Sequence, residues 1–237
     1  MTRTLAIHDL PDEDATRAFA RSLAAMLMPG DVIALEGDMG VGKTTLVRSI
    51  ADALGVPSGV VSSPTFVVIN QYAIPGRGIA AAAHPLAPGQ LIHVDAYRVG
   101  DVSELENAGW DHLFNVQGRP IGPAAAIIEW RSRIQEVIPK DACDIVLEAT
   151  GSASRRCAIS IPTAWLEGSG HRESARRIIE SPPTRCPVTR EWVEATRPSY
   201  PFASERARLA DLHKWFSGEH STSREIRPED DQDVSLG

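Results

Sequence analysis

Residues 32–55 read VIALEGDMGVGKTTLVRSIADALG, and this stretch decides the fold. It begins with a short apolar run rich in β-forming residues, passes through a glycine-rich loop, and ends in a helical pattern. The loop fits the motif G-x-x-x-x-G-K-[ST] at Gly37, Gly42, Lys43 and Thr44. A strand before such a loop and a helix after it are the context that a phosphate-binding P-loop requires. The segment therefore predicts a P-loop fold.

The chemistry of the loop follows from its residue types. Glycines let backbone N–H groups converge on phosphate oxygens, and the helix that follows directs its positive end at the same anion. We expect Lys43 to reach the β- and γ-phosphates and the Thr44 hydroxyl to ligate Mg²⁺. Thr45 is expected to be a helix residue, with a phosphate contact as the alternative. The motif predicts a bound triphosphate but does not say what its binding is for.

Helical and strand patterns alternate on both sides of this loop. Strands are predicted at 4–8, within 60–74, and at 91–95, 124–129, 144–150 and 155–161, and helices at 10–27, 44–54, 103–114 and 131–138. Asp12 is expected to cap the first of these helices and Ser103 the third. Such alternation indicates an α/β, P-loop NTPase-like three-layer domain with a mostly parallel central sheet.

The composition and hydrophobic periodicity of the sequence change near residue 166. We assign residues 1–165 to the P-loop domain and residues 166–237 to a poorly ordered C-terminal extension that is partly helical or disordered, because its end is acidic and weakly periodic. Residues 75–89, rich in Gly, Pro and Ala, are interpreted as a flexible insertion between two strands.

Composition limits the classes of function. The formal net charge is -7, so no basic surface dominates, and we expect that any RNA is bound mainly by a partner. The three cysteines have no paired spacing, which argues against a zinc site or a disulfide framework. The N-terminus lacks the apolar region of a signal peptide, and no apolar run is long enough to span a membrane. These features predict a cytoplasmic location.

Two predicted strands end in an acid. LIHVD ends at Asp95 and AAAIIE ends at Glu129. Ligands in open α/β sheets bind at the carboxyl ends of the strands, so both acids are expected to face the nucleotide. A P-loop site needs such a carboxylate to hold magnesium or to position water. We favour Glu129 as the metal-side acid and Asp95 as the acid that orients water or a switch segment, although the residues alone leave this division open.

Other motifs separate the classes of P-loop protein. A GTPase would carry an N-K-x-D segment for guanine, and no lysine of this chain follows an asparagine. Thr65, within the segment SSPTF, is a candidate γ-phosphate sensor or a turn residue entering a strand. A kinase of a small metabolite and a non-catalytic nucleotide-binding scaffold remain alternatives to an ATPase.

Taken together, LEGDMGVGKTTL, SSPTF, HVDAYRV and IIEW, in this order, resemble the TsaE (YjeE) family of ATPases in bacterial tRNA threonylcarbamoyladenosine biosynthesis. The resemblance runs from the start of the first helix to the strand RRCAISI. It implies an ATP- and Mg²⁺-dependent P-loop ATPase that is weak alone. It also implies docking on a TsaD–TsaB heterodimer, which modifies the adenosine beside the anticodon.

The resemblance also implies roles for individual residues. Thr44 and Glu129 correspond to the magnesium ligands, and Lys43 and Asp95 join Glu129 in catalysis. The remaining nucleotide-binding positions implied are, besides Lys43, Thr44 and Thr45, Glu13, Asp38, Met39, Gly40, Val41, Gly42 and Trp130.

Overall fold

The computed structural model describes residues 2–61, 68–75, 87–168 and 171–216, apart from the side chains of Arg172, Trp215 and Phe216. The helices and strands described are, in chain order, β1 (Arg3–Leu10), α1 (Glu13–Met26), β2 (Val32–Glu36), α2 (Lys43–Leu54), β3 (Ile69–Ala73), β4 (Gln90–Asp95), α3 (Val102–Asn107), α4 (Trp110–Leu113), β5 (Ala124–Glu129), β6 (Cys143–Ala149), β7 (Arg155–Pro162), α5 (Thr163–Glu167), α6 (Arg172–Glu180), β8 (Thr184–Arg185), β9 (Trp192–Val193) and α7 (Glu205–Phe216).

Strands β1 to β7 form one sheet in the order β1-β7-β6-β2-β5-β4-β3. The central strands β6, β2, β5 and β4 run parallel to one another. The outer pairings β1–β7, β6–β7 and β3–β4 are antiparallel. The parallel centre carries the P-loop after β2, so the α/β fold predicted from the alternation of elements is confirmed.

Both faces of the central strands β2, β4 and β5 are buried, and alternate residues of these strands point to opposite sides of the sheet. One face packs against α1 and α2 in a cluster that contains Ile33 and Leu35. The opposite face, with Val32 and Ala34, packs against α3 and α4. Two buried faces explain why the central strands are near-continuous apolar runs.

Helix α1 forms as the sequence predicts. The Asp12 side chain accepts a hydrogen bond from the backbone N–H of Ala15 at 2.8 Å, which satisfies one of the free donors of the first turn. Its apolar face is buried throughout, and the members of this face are Ala15, Phe19, Leu23, Met26 and Leu27. Helix α2 ends at Leu54, as predicted, and Gly55 follows it in the left-handed conformation.

Two predicted helices are wrong in detail. The segment 103–114 is not one helix capped by Ser103: the cap is Asp101, whose side chain accepts from the N–H of Ser103 at 2.9 Å. Gly109, at φ 90°, then separates α3 from α4, because a left-handed residue cannot continue a helix. The segment 131–138 forms two short 3-10 turns, Arg131–Arg133 and Gln135–Val137, rather than an α-helix.

Within the extension, α6 and β9 lie against α1. His171 Nε2 and the buried Asp31 carboxylate are 2.7 Å apart, and the N–H of Ala195 donates to Ser22 Oγ at 3.1 Å. Burial raises the pKa of the Asp31 carboxyl, while the contact with His171 acts in the opposite direction. The boundary at 165/166 falls within α5 and stays a prediction. Within the described ranges, no helix has both the length and the apolar character needed to cross a bilayer.

Candidate nucleotide site

The loop between β2 and α2 has the backbone of a phosphate cradle. Gly37, Gly40 and Gly42 have φ values of 142°, 75° and 106°, which side chains rarely tolerate. A Cβ atom on Gly37 would also collide with the backbone carbonyl of Leu147. The motif glycines are therefore required by the shape of the loop and by its close approach to β6.

Lys43 lies across this loop. Its Nζ donates to the carbonyl oxygens of Gly37 at 2.7 Å and Asp38 at 3.0 Å, and lies 3.6 Å from the centre of the Trp130 ring. Burial lowers the pKa of the Lys43 ammonium, and surrounding carboxylates, Glu129 foremost, act in the opposite direction. The ammonium is thus held where phosphate oxygens are expected, in contacts that those oxygens can replace.

Trp130 covers the ammonium from a strained backbone position. Its φ of 62° is left-handed, which is uncommon for a residue other than glycine. Strained backbone positions of this kind cluster at active sites and ligand-binding sites. The Trp130 ring also contacts the ring of Tyr97, with centroids 4.9 Å apart. The two aromatic rings form one wall of the site beside the loop.

The predicted acids meet at the same edge of the sheet. Strands β4 and β5 pair in a register that places Asp95 opposite Glu129. The Thr44 hydroxyl donates to Glu129 Oε2 at 3.0 Å, which links the P-loop helix to the end of β5. Asp95 Oδ1 accepts from the N–H of Tyr97 at 3.1 Å. Both acids are buried, so their carboxylates lie in a setting shielded from solvent.

A cavity of 330 Å³ opens at this point, and most of the predicted site residues line it. Its lining consists of Met39, Gly40, Gly42, Lys43, Thr44, Thr45, Asp95, Tyr97, Glu129 and Trp130. Asp38 contributes through its backbone, whose carbonyl accepts from Lys43. The structure thus brings together the loop, both acids and the tryptophan that sequence reasoning assigned separately.

A second cavity of 280 Å³ adjoins the first at Gly42 and Thr45. Two predicted residues that do not line the first cavity line this one, Glu13 at the start of α1 and Val41 of the loop. Arg155 also lines it and donates from Nε to the Val41 carbonyl at 2.5 Å. The two cavities share Gly42 and Thr45, so the space beside the phosphate loop extends toward α1.

Sequence reasoning missed three residues of this site. Tyr97 was recognised only as part of a motif, and Arg155 gave no local signal because it reaches the loop from β7. His93 could have been found: it lies two residues before Asp95 and therefore on the same face of β4. Thr65, the candidate sensor, lies outside the described residues, as do residues 76–86 of the predicted insertion.

The donor set suits a hard cation. Mg²⁺ prefers oxygen ligands and is usually bound by one or two carboxylates together with substrate phosphates. Thr44 Oγ1 and Glu129 Oε2 provide two such oxygens 3.0 Å apart. In the described ranges, no cluster of three or more His, Cys, Asp or Glu side chains forms a protein-only metal cage. The residues present therefore fit a magnesium ion that shares its coordination with a nucleotide.

Comparison with known proteins places the chain in a family. The family model of "Threonylcarbamoyl adenosine biosynthesis protein TsaE" matches residues 10–157. The TsaE protein of Bacillus subtilis is 37% identical over 145 residues, which cover 61% of this chain and 77% of the relative. The TsaE protein of Aquifex aeolicus is 34% identical over 140 residues, covering 59% and 82%.

Two further similarities were found. A crystal structure of Bacillus subtilis YdiB superposes with a TM-score of 0.49 at 24% identity, covering 75% of this chain and 96% of that one. The family model of "DNA gyrase inhibitor YacG" matches residues 184–233, within the extension. Because the TsaE model covers more than half of the sequence, the chain belongs to the TsaE family of threonylcarbamoyl adenosine biosynthesis proteins.

Proposed function

We propose that the chain binds ATP with Mg²⁺ and hydrolyses it slowly. In doing so it supports formation of the threonylcarbamoyl modification on the adenosine beside the anticodon of tRNAs, in concert with a TsaD–TsaB heterodimer. One observation carries the proposal: the Thr44 hydroxyl contacts Glu129, and Asp95 pairs with Glu129, at the mouth of a P-loop cavity. Nucleotide hydrolysis needs a phosphate-binding loop, oxygen ligands for a metal ion and a second carboxylate.

Each residue has a distinct role in this proposal. Lys43 and the loop backbone bind the phosphates, and Thr44 and Glu129 hold the ion. When bound, Mg²⁺ supplies charge neutralisation at the β- and γ-phosphates. Asp95 orients the attacking water or, through its hydrogen bond to the N–H of Tyr97, a segment that responds to the γ-phosphate.

The second cavity supports the choice of a nucleotide over a simple phosphate. Glu13 and Thr45 line it beside the P-loop, which gives the base and ribose a compartment continuous with the phosphate site. Membership of the TsaE family favours the ATPase over the alternative of a small-metabolite kinase. The net charge of -7 favours engagement of tRNA through the partner complex rather than by this chain directly.

The test is steady-state ATP hydrolysis by the purified chain, alone and with the TsaD–TsaB heterodimer. We expect slow turnover alone and a several-fold rise when the heterodimer is present. Partner binding would be followed by co-purification with and without ATP. Equal rates in both conditions would contradict the proposed coupling, and a product phosphorylated on a metabolite would favour the kinase alternative.

A second candidate function concerns the extension. Residues 184–233 match the YacG family, described as an inhibitor of DNA gyrase. The described part of this segment packs around the small cluster Cys186, Val193 and Ala207. Helix α7 leaves Leu209 and Leu212, one turn apart, exposed to solvent. We propose that this segment contacts DNA gyrase through the leucine face of α7.

Supercoiling by DNA gyrase in the presence of the full chain tests this second proposal. The double variant Leu209→Ser/Leu212→Ser is expected to raise the half-inhibitory concentration about 10-fold, because residues at the centre of an interface can each cost more than 1 kcal/mol when truncated. Ala210→Ser is the matched control on the same helix, and Lys43→Ala should inhibit like the parent chain. Absence of inhibition, or equal inhibition by the double variant, would refute the contact.

A further inference from the structure

His93 is a buried residue of β4 that stands directly behind the candidate metal acid. Side chains two residues apart on a strand share a face, so His93 and Asp95 lie on the same side of the sheet. Glu129 belongs to this side as well, because it pairs with Asp95 in the β4–β5 register. His93 Nε2 lies 2.8 Å from Glu129 Oε1, and the histidine has no exposed surface.

The hydrogen bonds of Glu129 determine which nitrogen of the His93 imidazole carries the proton. Glu129 Oε2 accepts from Thr44, and Oε1 faces His93. An ionised carboxylate can only accept, so Nε2 must carry the proton and donate. Nδ1 is buried and has no hydrogen-bond partner among the residues that the structure describes. The tautomer that carries its proton on Nε2 fits both observations.

Glu129 needs such a donor. The terminal torsion of glutamate is broad, so its rotamer alone does not fix which way the two oxygens point. The hydrogen bond from Thr44 restrains the orientation of the Glu129 carboxylate. The Thr44 hydroxyl is also a proposed ligand of the ion, so it would be shared between Glu129 and the ion. Among the residues that the structure describes, His93 is the hydrogen-bonding neighbour of Glu129 that remains. We propose that His93 is a positioning residue that fixes Glu129 Oε1 and thereby directs Oε2 toward Thr44 and the nucleotide cavity. The inference rests on the proposed function for the role of Glu129.

Packing alone does not explain His93. The chain offers a direct comparison in His8, which is buried on β1 of the same sheet and contacts Phe19 in a tilted arrangement with a centroid distance of 5.4 Å. No side chain among the described residues forms a hydrogen bond with either ring nitrogen of His8. His93 differs in that one nitrogen is directed at a buried carboxylate of the site. His8 is therefore the matched control for a histidine that only fills space.

The first experiment measures ADP binding by calorimetry with and without MgCl₂. His93→Leu fills the volume without a donor, whereas His93→Gln offers an amide N–H. We expect His93→Leu to bind ADP alone like the parent and to lose about 10-fold of the magnesium-dependent gain in affinity, in line with other residues that orient metal ligands. His93→Gln should recover most of that gain, and His8→Leu should leave it unchanged. Equal behaviour of His93→Leu and His8→Leu would overturn the proposal.

The second experiment uses nucleotide-free protein and does not depend on hydrolysis. Long-range ¹H–¹⁵N spectra of the imidazoles should show His93 protonated on Nε2, with signals that move in Glu129→Gln. A proton on Nδ1, or signals that Glu129→Gln leaves unchanged, would overturn the proposal even if His93→Leu fails to fold. If the parent chain shows no magnesium-dependent binding of ADP, the proposed function fails, and these spectra alone then decide the His93–Glu129 contact.

Discussion

Replacing Lys43 by alanine is expected to weaken ATP binding by about 10- to 150-fold. A hydrogen bond to a charged group contributes roughly 1.5–3 kcal/mol, and each 1.4 kcal/mol changes an affinity tenfold. Lys43 is the lysine that lines the cavity, and its Nζ already rests on the carbonyls of Gly37 and Asp38. Those weaker contacts are exchanged for phosphate oxygens when a nucleotide binds. Calorimetry with ATP and MgCl₂ measures the loss.

Lys140→Ala is the matched control, because it removes the same charge from an exposed residue outside the cavity. It should bind ATP like the parent chain. Thermal unfolding of both variants without nucleotide separates lost affinity from lost fold. Lys43→Ala that binds ATP as tightly as Lys140→Ala would contradict the assignment of the loop as the phosphate site.

The phosphate loop was predictable because residues adjacent in the sequence determine its conformation. The glycines of the motif predict the positive φ angles at Gly37 and Gly42, because residues with side chains seldom adopt such angles. The meeting of Asp95 and Glu129 was also predictable, though less directly. Each acid ends an apolar run, and parallel strands deliver their carboxyl ends to one edge of the sheet. Their catalytic roles stay predictions.

The rest of the site depends on contacts between distant parts of the chain. Arg155 reaches the Val41 carbonyl from a strand more than 100 residues away, as the separation of 114 shows. The spacing of His93 and Asp95 predicts that they share a face of β4, but the contact of His93 with Glu129 needs the register of β4 against β5, which no local pattern encodes. Long-range geometry of this kind is set by the packing of the whole sheet, so single-sequence reasoning could not supply it.

Short elements account for the remaining differences. The break at Gly109 was overlooked because a glycine inside a helical pattern is often tolerated, whereas here its φ of 90° ends α3. The hairpin of β8 and β9 has two residues in each strand, too few for a period-two pattern to be seen. Helix α7, with 12 residues, is the longest described helix of the extension and agrees with the prediction that the extension is partly helical.

The second large effect is expected for Glu129→Gln, which should lower the rate of ATP hydrolysis by about 100-fold or more. The amide keeps the shape of the side chain and can still accept from His93, but it no longer carries the charge that holds the ion. A bound metal contributes several kcal/mol of charge stabilisation, and each 1.36 kcal/mol changes a rate tenfold. ADP binding without magnesium should be retained. Single-turnover hydrolysis at saturating ATP measures the rate directly.

Glu148→Gln, an exposed acid near the end of β6, is the matched control and should hydrolyse ATP like the parent chain. Comparison with Asp95→Asn then shows which of the two acids, Glu129 or Asp95, holds the ion. If Glu129 holds the ion, Glu129→Gln raises the magnesium concentration needed for half-maximal turnover, whereas Asp95→Asn lowers turnover at an unchanged magnesium requirement. The reverse pattern would assign the ion to Asp95, and a Glu129→Gln rate equal to that of Glu148→Gln would remove Glu129 from the mechanism.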